Sequence, residues 1–487
     1  MLLKDLLKNI EVEKITGSVD INIYSIAFDS RKVEKNSLFV AVKGVNTDGH
    51  NYILQAVSNG AIAVVYDNEN IDVPKGIISI RVKDSAEALG ILASNFYENP
   101  SLNMKVVGVT GTNGKTTIAT LLYHLFEDLG YKCGLLSTVE NRIHNRVVVA
   151  THTTPDALSI QSLMKQMVDE GCEYCFMEVS SHAISQKRIS GIQFIGGIFT
   201  NLTHDHLDFH KSFKNYRDTK KQFFDDLSAS AFAFSNKDDK NGVYMLQNTK
   251  AKKKFYALKS MANYKAVILE QDFHGTLLSI NGKEVWIRLI GKFNVYNILA
   301  IYGGAVLLGV GEDEVLLGIS KLNAVKGRLE TIKDENGRVF IIDYAHTPDA
   351  LKNVLLMLNE MKSEGREIIT VFGAGGDRDK TKRPEMGEIA VSLSDKVIIT
   401  SDNPRSEDPD AIINDIKKGI KHKKDLDKTL VIPDREVAIK TAILIAKTGD
   451  IVLIAGKGHE EYQEINGVRH HFSDREVVEK NIVLLNK

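Results

Sequence analysis

Lys115, Thr116 and Thr117 close a loop with glycines at 108, 111 and 114, inside the stretch from Lys105 to Phe126, KVVGVTGTNGKTTIATLLYHLF. Glycine lets backbone N–H groups turn toward phosphate oxygens, and a helix start adds unpaired donors and a favourable dipole. In such a loop the lysine reaches the β- and γ-phosphates and the first threonine hydroxyl binds Mg²⁺. Gly111, Thr112, Asn113, Gly114, Lys115, Thr116 and Thr117 are therefore the candidate phosphate contacts. The spacing departs from the standard phosphate loop, because Val109 stands where a glycine is expected and the glycine is at 108. A ligand-free turn is the alternative, but it gives Lys-Thr-Thr no packing purpose.

Other chemistry-bearing residues follow in order. Glu178 ends FMEV and precedes Ser180, Ser181 and His182; a carboxylate at the mouth of a phosphate loop suits Mg²⁺. His204, Asp205, His206, Asp208 and His210 crowd THDHLDFH, either an inert solvated loop or a metal and phosphate contact beside the nucleotide. Lys220 falls inside the apolar stripe Phe213, Tyr216, Phe223 and Leu227. Such a lysine either snorkels to water or is kept neutral by burial and consumed by CO₂ to give a carbamate, which acts as a carboxylate. Further on, GAGGDRDKTKRPEMG presents Asp377, Arg378, Lys382 and Arg383, while DNPRSEDP from 402 and GKGHEEYQ from 456 add mixed charges. Arginines beside acids suit an amino-acid ligand, since guanidinium grips a carboxylate and a carboxylate receives the ammonium. A surface ion-pair loop is the other reading.

These groups need elements to hold them. Val106 to Val109 form a strand, and Ile118, Leu121, Leu122, Leu125 and Phe126 make one buried stripe of a helix. CGLLST from 133, YCFMEVSS from 174 and GGIFTNL from 196 are strands ending in polar residues, as an open parallel sheet requires at its site. Alternation from 269 to 291 predicts antiparallel hairpins at one side, and a helix from Phe293 carries Asn294 and Asn297. Ahead of this, short strands at 23, 37, 60 and 77 and a helix Tyr52 to Asn59 make a small α/β unit. Its loops carry Asp29, Ser30 and Arg31, then Asp48, Gly49 and His50, open to turn chemistry or to a ligand. Beyond 328, strands ending at Asp343, Gly373, Asp402, Pro433-Asp434 and Gly456 predict a second doubly wound sheet.

Composition bounds the rest. With 487 residues, 43% of them hydrophobic, the chain has room for about three domains of ordinary size. A net charge of -1, with no polybasic run longer than Lys252 to Lys254, argues against nucleic acid or anionic membrane as a partner. The first residues lack a signal peptide's apolar core, so a cytoplasmic protein is expected, and a monomer. Cys172 and Cys175 form a C-x-x-C beside Cys133, but with no second pair to complete a zinc site they read as buried packing residues.

GTNGKTT, EVSSHA, NLTHDHLDFH, YRDTKK, GKFNVYN, GRLE, DYAHTPDAL, GGDRDKTKRP, DNPR and GKGHE together resemble the Mur ligases over nearly the whole chain. The resemblance implies three α/β domains: a UDP-sugar-binding domain at 1–98, an ATP-binding parallel-sheet domain at 99–328 and a Rossmann-like amino-acid-binding domain at 329–487. It implies ADP-forming ligation of an amino acid to UDP-N-acetylmuramoyl-L-alanyl-D-glutamate through an acyl phosphate. Carried onto matching positions, Ser30, Val45, Asn46 and Thr47 would hold uridine diphosphate, and His152, Thr153, Thr154, Ser180, Gln186 and Arg188 the rest of that substrate. His152 departs from the asparagine of some relatives. Thr116, Glu178, His206 and carbamylated Lys220 would serve two Mg²⁺ ions, with Lys115, Lys220 and His206 catalytic; Asn297, Arg328 and Asp343 would serve ATP. Arg378, Asp402, Asn403, Pro404, Arg405, Gly456 and Glu460 would hold the amino acid. Of the two amino acids used at this step, L-lysine and meso-diaminopimelate, a buried Arg405 fork fixed by the preceding Pro404 fits the second, which carries an extra carboxylate. Another Mur or folylpolyglutamate-type ligase, or a phosphate-loop switch ATPase, is the alternative.

Overall fold

Runs of β-branched and aromatic residues form strands buried on both faces, which is what parallel sheets covered by helices require. Val106, Val107 and Val109, Phe176 and Met177, and Ile198 and Phe199 are all fully enclosed. The computed structural model describes residues 1–45, 47–150 and 152–485, arranged around three main sheets.

The first sheet has five strands in the spatial order Val12–Thr16, Ile78–Val82, Ala61–Tyr66, Ser37–Val40 and Ser25–Ala27. Its first strand runs antiparallel to the others. The expected helix runs Ile53–Ser58, with Tyr52 in the preceding 3-10 turn Gly49–Tyr52.

The second sheet has eleven strands, and its parallel centre places Lys105–Thr110 between Tyr174–Glu178 and Phe194–Phe199. The chain reaches these two neighbours in succession, crossing from one side of the phosphate-loop strand to the other. That crossover opens a crevice at the strand carboxyl ends. The expected hairpins Tyr264–Asp272, Gly275–Ile280 and Lys283–Ile287 close one edge. Another antiparallel pair, Asn141–Ile143 and Arg146–Val148, closes the other.

The third sheet has six strands, five parallel: Val339–Asp343, Ile451–Ala455, Ile368–Phe372, Lys396–Ile399 and Thr429–Val431 in spatial order. Glu330–Lys333 adds an antiparallel edge, and a separate hairpin, Tyr462–Ile465 with Val468–His471, follows. No described helix is long and apolar enough to cross a membrane.

One expectation is corrected here. Gly108 is not part of the loop but lies within the strand Lys105–Thr110, where a Cβ would meet Phe223 Cζ at 2.6 Å. Its role is to let the helix Phe213–Asp225, which carries Lys220, pack directly on the phosphate-loop strand.

Candidate active site

The loop after Lys105–Thr110 is pressed between two other elements. A Cβ on Gly111 would lie 1.8 Å from Thr200 Oγ1, and one on Gly114 (φ +88°) would lie 2.6 Å from Asn297 Oδ1. Only glycine combines that left-handed turn with so close an approach. Thr200 Oγ1 and Asn201 Nδ2 donate to the Asn113 carbonyl at 2.6 and 3.1 Å, while Asn201 Oδ1 accepts from Asn113 N at 2.9 Å. Asn113 Nδ2 in turn donates to Asp349 Oδ2 at 3.1 Å, tying the loop to the third unit. Thr112 Oγ1 lies 3.1 Å from the Tyr216 hydroxyl.

Lys115 Nζ folds back and donates to the carbonyls of Gly111 (2.9 Å) and Thr112 (2.7 Å). Burial lowers its pKa, and the charges of Glu178 and Asp205 oppose that shift. Thr116 Oγ1 accepts from Arg328 Nη2 at 3.3 Å, and Thr117 lines a cavity of about 440 Å³. Asn113, Gly114, Asn297, Arg328 and Asp343 line it too, whereas Gly111, Thr112, Lys115 and Thr116 of the expected nucleotide contacts are not part of its lining. The Arg328 guanidinium stacks over the Tyr344 ring at 4.5 Å, and Asp343 Oδ2 accepts from Leu329 N at 2.8 Å.

Lys220 is 1% exposed, which settles its choice between snorkelling and burial. Its Nζ donates to the Gly111 carbonyl at 2.9 Å and sits 5.0 Å from the Tyr216 ring centre. Among the described residues no carboxylate pairs with it, and burial, reinforced by the charge of Lys115, pushes its pKa well down. The amine is thereby kept nucleophilic.

Glu178 Oε1 accepts from Thr138 N at 2.7 Å, whereas its buried Oε2 has no partner. An orphaned carboxylate oxygen at this place fits a divalent cation. Among the described residues no group of three or more His, Cys, Asp or Glu is assembled to hold a metal. His206 is held at φ +54°, uncommon for histidine, with its ring 4.8 Å from that of His182; burial pushes its pKa down to about 3. His210 Nε2 lies 2.9 Å from Ser181 Oγ.

On the far side of Glu178, Thr154 Oγ1 donates to the Glu178 carbonyl at 2.8 Å and accepts from Ser180 N at 3.1 Å. Ser180 Oγ accepts from Ala183 N, Thr138 Oγ1 donates to Thr153 Oγ1 at 3.1 Å, and Arg188 binds both Gln186 Oε1 and the Thr154 carbonyl. Thr153, Thr154, Ser180, Gln186 and Arg188 thus form one cluster next to Glu178. His152 lies one residue before it. In the first unit Ser30 Oγ donates to Gln55 Oε1 at 2.9 Å, and Val45 and Thr47 are exposed; Asn46 lies outside the described residues. Asp29 and Asp48 both accept from backbone N–H groups two residues on, which is turn chemistry.

In the third unit Arg405 adopts φ +53°, fixed by hydrogen bonds of its N to Glu464 O (3.0 Å) and its O from Asn466 N (2.7 Å). The hairpin, rather than Pro404 alone, sets its direction, and the side chain is half-buried rather than buried as expected. Its Nη1 donates to Gly376 O at 2.8 Å; Gly375 lies between it and the exposed Arg378. Asn403 Nδ2 donates to Glu460 Oε2 at 2.7 Å, and the fully buried Lys457 Nζ reaches Asn403 Oδ1 (3.1 Å) and Glu460 Oε2 (3.2 Å). Burial and Asp402 raise the Glu460 pKa. A Cβ on Gly456 would lie 2.4 Å from Asp402 Oδ2. Two expected ligand groups are engaged otherwise: Arg383 is buried against Glu407 and Asp415, and Lys382 pairs with Asp205 at 2.9 Å. Lys457, Asn201 and Asp349 were not singled out from the sequence, although each lies inside a motif that was.

Family descriptions match each unit: "Mur ligase family, catalytic domain" over residues 22–97, "Mur ligase middle domain" over 109–304 and "Mur ligase, glutamate ligase domain" over 327–458. The chain is similar to a protein of Parabacteroides distasonis, 56% identical over 98% of both chains, and to one of Cytophaga hutchinsonii, 52% identical over the whole of both. Both are named UDP-N-acetylmuramoyl-L-alanyl-D-glutamate--2,6-diaminopimelate ligase. A solved structure of that name is 32% identical, covers 100% of this chain and 99% of its own, and superposes with a TM-score of 0.71. The chain belongs to the Mur ligase family.

Proposed function

We propose that this chain joins meso-2,6-diaminopimelate to the D-glutamyl carboxylate of UDP-N-acetylmuramoyl-L-alanyl-D-glutamate, converting ATP to ADP and phosphate. The observation that carries this reading is identity of 56% over 98% of both chains to a ligase of that name, with residues of GTNGKTT, NLTHDHLDFH, GKFNVYN, GRLE and DYAHTPDAL lining one crevice. The protein would work in the cytoplasm as a monomer, in peptidoglycan precursor synthesis, and so support cell shape and cell division. Residues 1–98 would bind the UDP-sugar through Ser30, Val45, Asn46 and Thr47, 99–328 would bind ATP, and 329–487 the amino acid.

In this reading Lys115 exchanges its two loop carbonyls for the β- and γ-phosphate oxygens of ATP. Thr116, Glu178, His206 and a carbamate on Lys220 would hold two Mg²⁺ ions, which supply neutralisation of phosphate charge. The carbamate forms when the neutral Lys220 amine attacks CO₂, a C–O π bond opens onto oxygen and the nitrogen loses a proton. The substrate carboxylate oxygen attacks the γ-phosphorus and ADP leaves, giving an acyl phosphate. The amino-acid nitrogen then attacks the acyl carbon, loses its proton and expels phosphate. His152, Thr153, Thr154, Ser180, Gln186 and Arg188 orient the dipeptide, while Arg378, Asp402, Asn403, Arg405, Gly456 and Glu460 orient the amine; positioning supplies much of the rate.

ADP release assayed with each substrate omitted tests the reading. Full turnover should require both the UDP-dipeptide and diaminopimelate, and Lys115→Ala should lose about 3 kcal/mol or more of transition-state stabilisation. ADP release independent of both substrates would point instead to a switch ATPase.

A further inference from the structure

Behind the amino-acid site lies a buried pair that the ligation chemistry does not use. Arg435, the first residue of the helix Arg435–Ile445, has a fully enclosed guanidinium, as does its partner carboxylate Asp474. Nε and Nη2 donate to the two oxygens of Asp474 at 2.7 and 2.8 Å. Nη2 also donates to the Ala455 carbonyl at 3.0 Å, and the buried Nη1 has no partner. Removing so large a cation from water is costly, and a pair serving only to join two helices is often replaceable by apolar side chains. Its placement suggests more.

Ala455 ends the strand Ile451–Ala455, and the next residue, Gly456, is the one whose missing Cβ admits Asp402. Arg435 therefore fastens the strand end against which the Asp402 carboxylate rests. Asp402 is buried, and its charge together with burial raises the cost of ionising Glu460. Lys457 answers that repulsion by bonding Glu460 directly. The carboxylate of Asp402 has no hydrogen-bond donor among the described residues. The charge of Arg435 acts on both Asp402 and Glu460.

We infer that Arg435 is a positioning residue for the incoming amino acid: anchored by Asp474 and the Ala455 carbonyl, it fixes the strand end against which the Asp402 carboxylate rests, and with it the Asp402 and Glu460 pair that would receive an ammonium group. The inference rests on the assignment of Asp402 and Glu460 to the diaminopimelate site.

Steady-state kinetics of the full-length enzyme, varying each substrate in turn, test it with Arg435→Met, Arg435→Lys, Arg435→Met/Asp474→Asn and Asp402→Asn. Thermal unfolding is followed on the same samples. KM for diaminopimelate should rise roughly tenfold in Arg435→Met. KM for ATP and for the UDP-dipeptide should stay within about twofold, and Arg435→Lys should recover part of the loss. The double variant removes the uncompensated Asp474 charge; it should regain stability while keeping the raised diaminopimelate KM. A double variant with both stability and diaminopimelate KM restored would reduce the pair to a helix brace and overturn the inference. So would equal rises in all three KM values. An unchanged diaminopimelate KM in Asp402→Asn would instead overturn the underlying site assignment.

Discussion

Lys382 Nζ, on the helix Lys382–Leu393 of the third unit, lies 2.9 Å from Asp205 Oδ1 of the second, one residue before His206. The loop that bears a proposed metal contact is thus held by the unit that would bind the amino acid. Burial alone would raise the Asp205 pKa, but His206, Lys382 and His346 outweigh it and keep the carboxylate well below its usual range. Lys382→Met should strand that charge and lower stability by about 1–3 kcal/mol in denaturant unfolding. Lys382→Met/Asp205→Asn should recover part of it. Equal stability of Lys382→Met and the parent would show that the contact contributes nothing.

Lys220 is buried with no carboxylate partner among the described residues, and its depressed pKa favours the neutral amine that CO₂ requires. Intact-mass measurement in bicarbonate should find one added CO₂ that is lost on acidification and absent from Lys220→Ala. That variant should keep its circular dichroism spectrum and lose ligation. Near-normal turnover in Lys220→Ala would remove the carbamate from the mechanism.

Arg383 donates to both oxygens of Glu407, holding the Glu407 pKa down from 4.5 to about 2. A carboxylate whose folded pKa is depressed adds stability above its unfolded value and loses it as pH falls through the folded one. The stabilising effect of Glu407 should therefore be complete above about pH 4.5 and fade toward pH 2. Acid unfolding of Glu407→Gln should show lower stability at pH 7 and a flatter decline over that window. Parallel pH curves for variant and parent would contradict the assignment.

The sheets and the phosphate loop were legible because their signals are local: β-branched runs, a glycine loop and a helix of 3.6 period. Lys220 was legible as an anomaly, a charge inside an apolar stripe. Gly108 was misplaced because loop and strand glycines look alike in sequence, and only Phe223 packing tells them apart. The half-buried, left-handed Arg405 was missed for a different reason. Its geometry comes from the hairpin at 462–471, more than fifty residues on, whose turn Asn466-Gly467 has φ of +50° and +77°. That Asn-Gly pair was the available hairpin signal. Arg383 and Lys382 read as ligand groups because sequence shows charge but not the distant acids Glu407, Asp415 and Asp205 that engage it.

The central claim is that the third unit selects an amino acid with a distal carboxylate. The Arg405 fork, aimed by a strained backbone and flanked across Gly375 by Arg378, suits that carboxylate, whereas the distal ammonium of L-lysine would meet like charge. The most direct measurement is kcat/KM for meso-diaminopimelate and L-lysine in the parent and in Arg405→Ala. The account predicts a preference for diaminopimelate on the order of a hundredfold or more in the parent, collapsing in Arg405→Ala mainly through loss of diaminopimelate activity. Incorporation of L-lysine by the parent at equal or greater kcat/KM would contradict it.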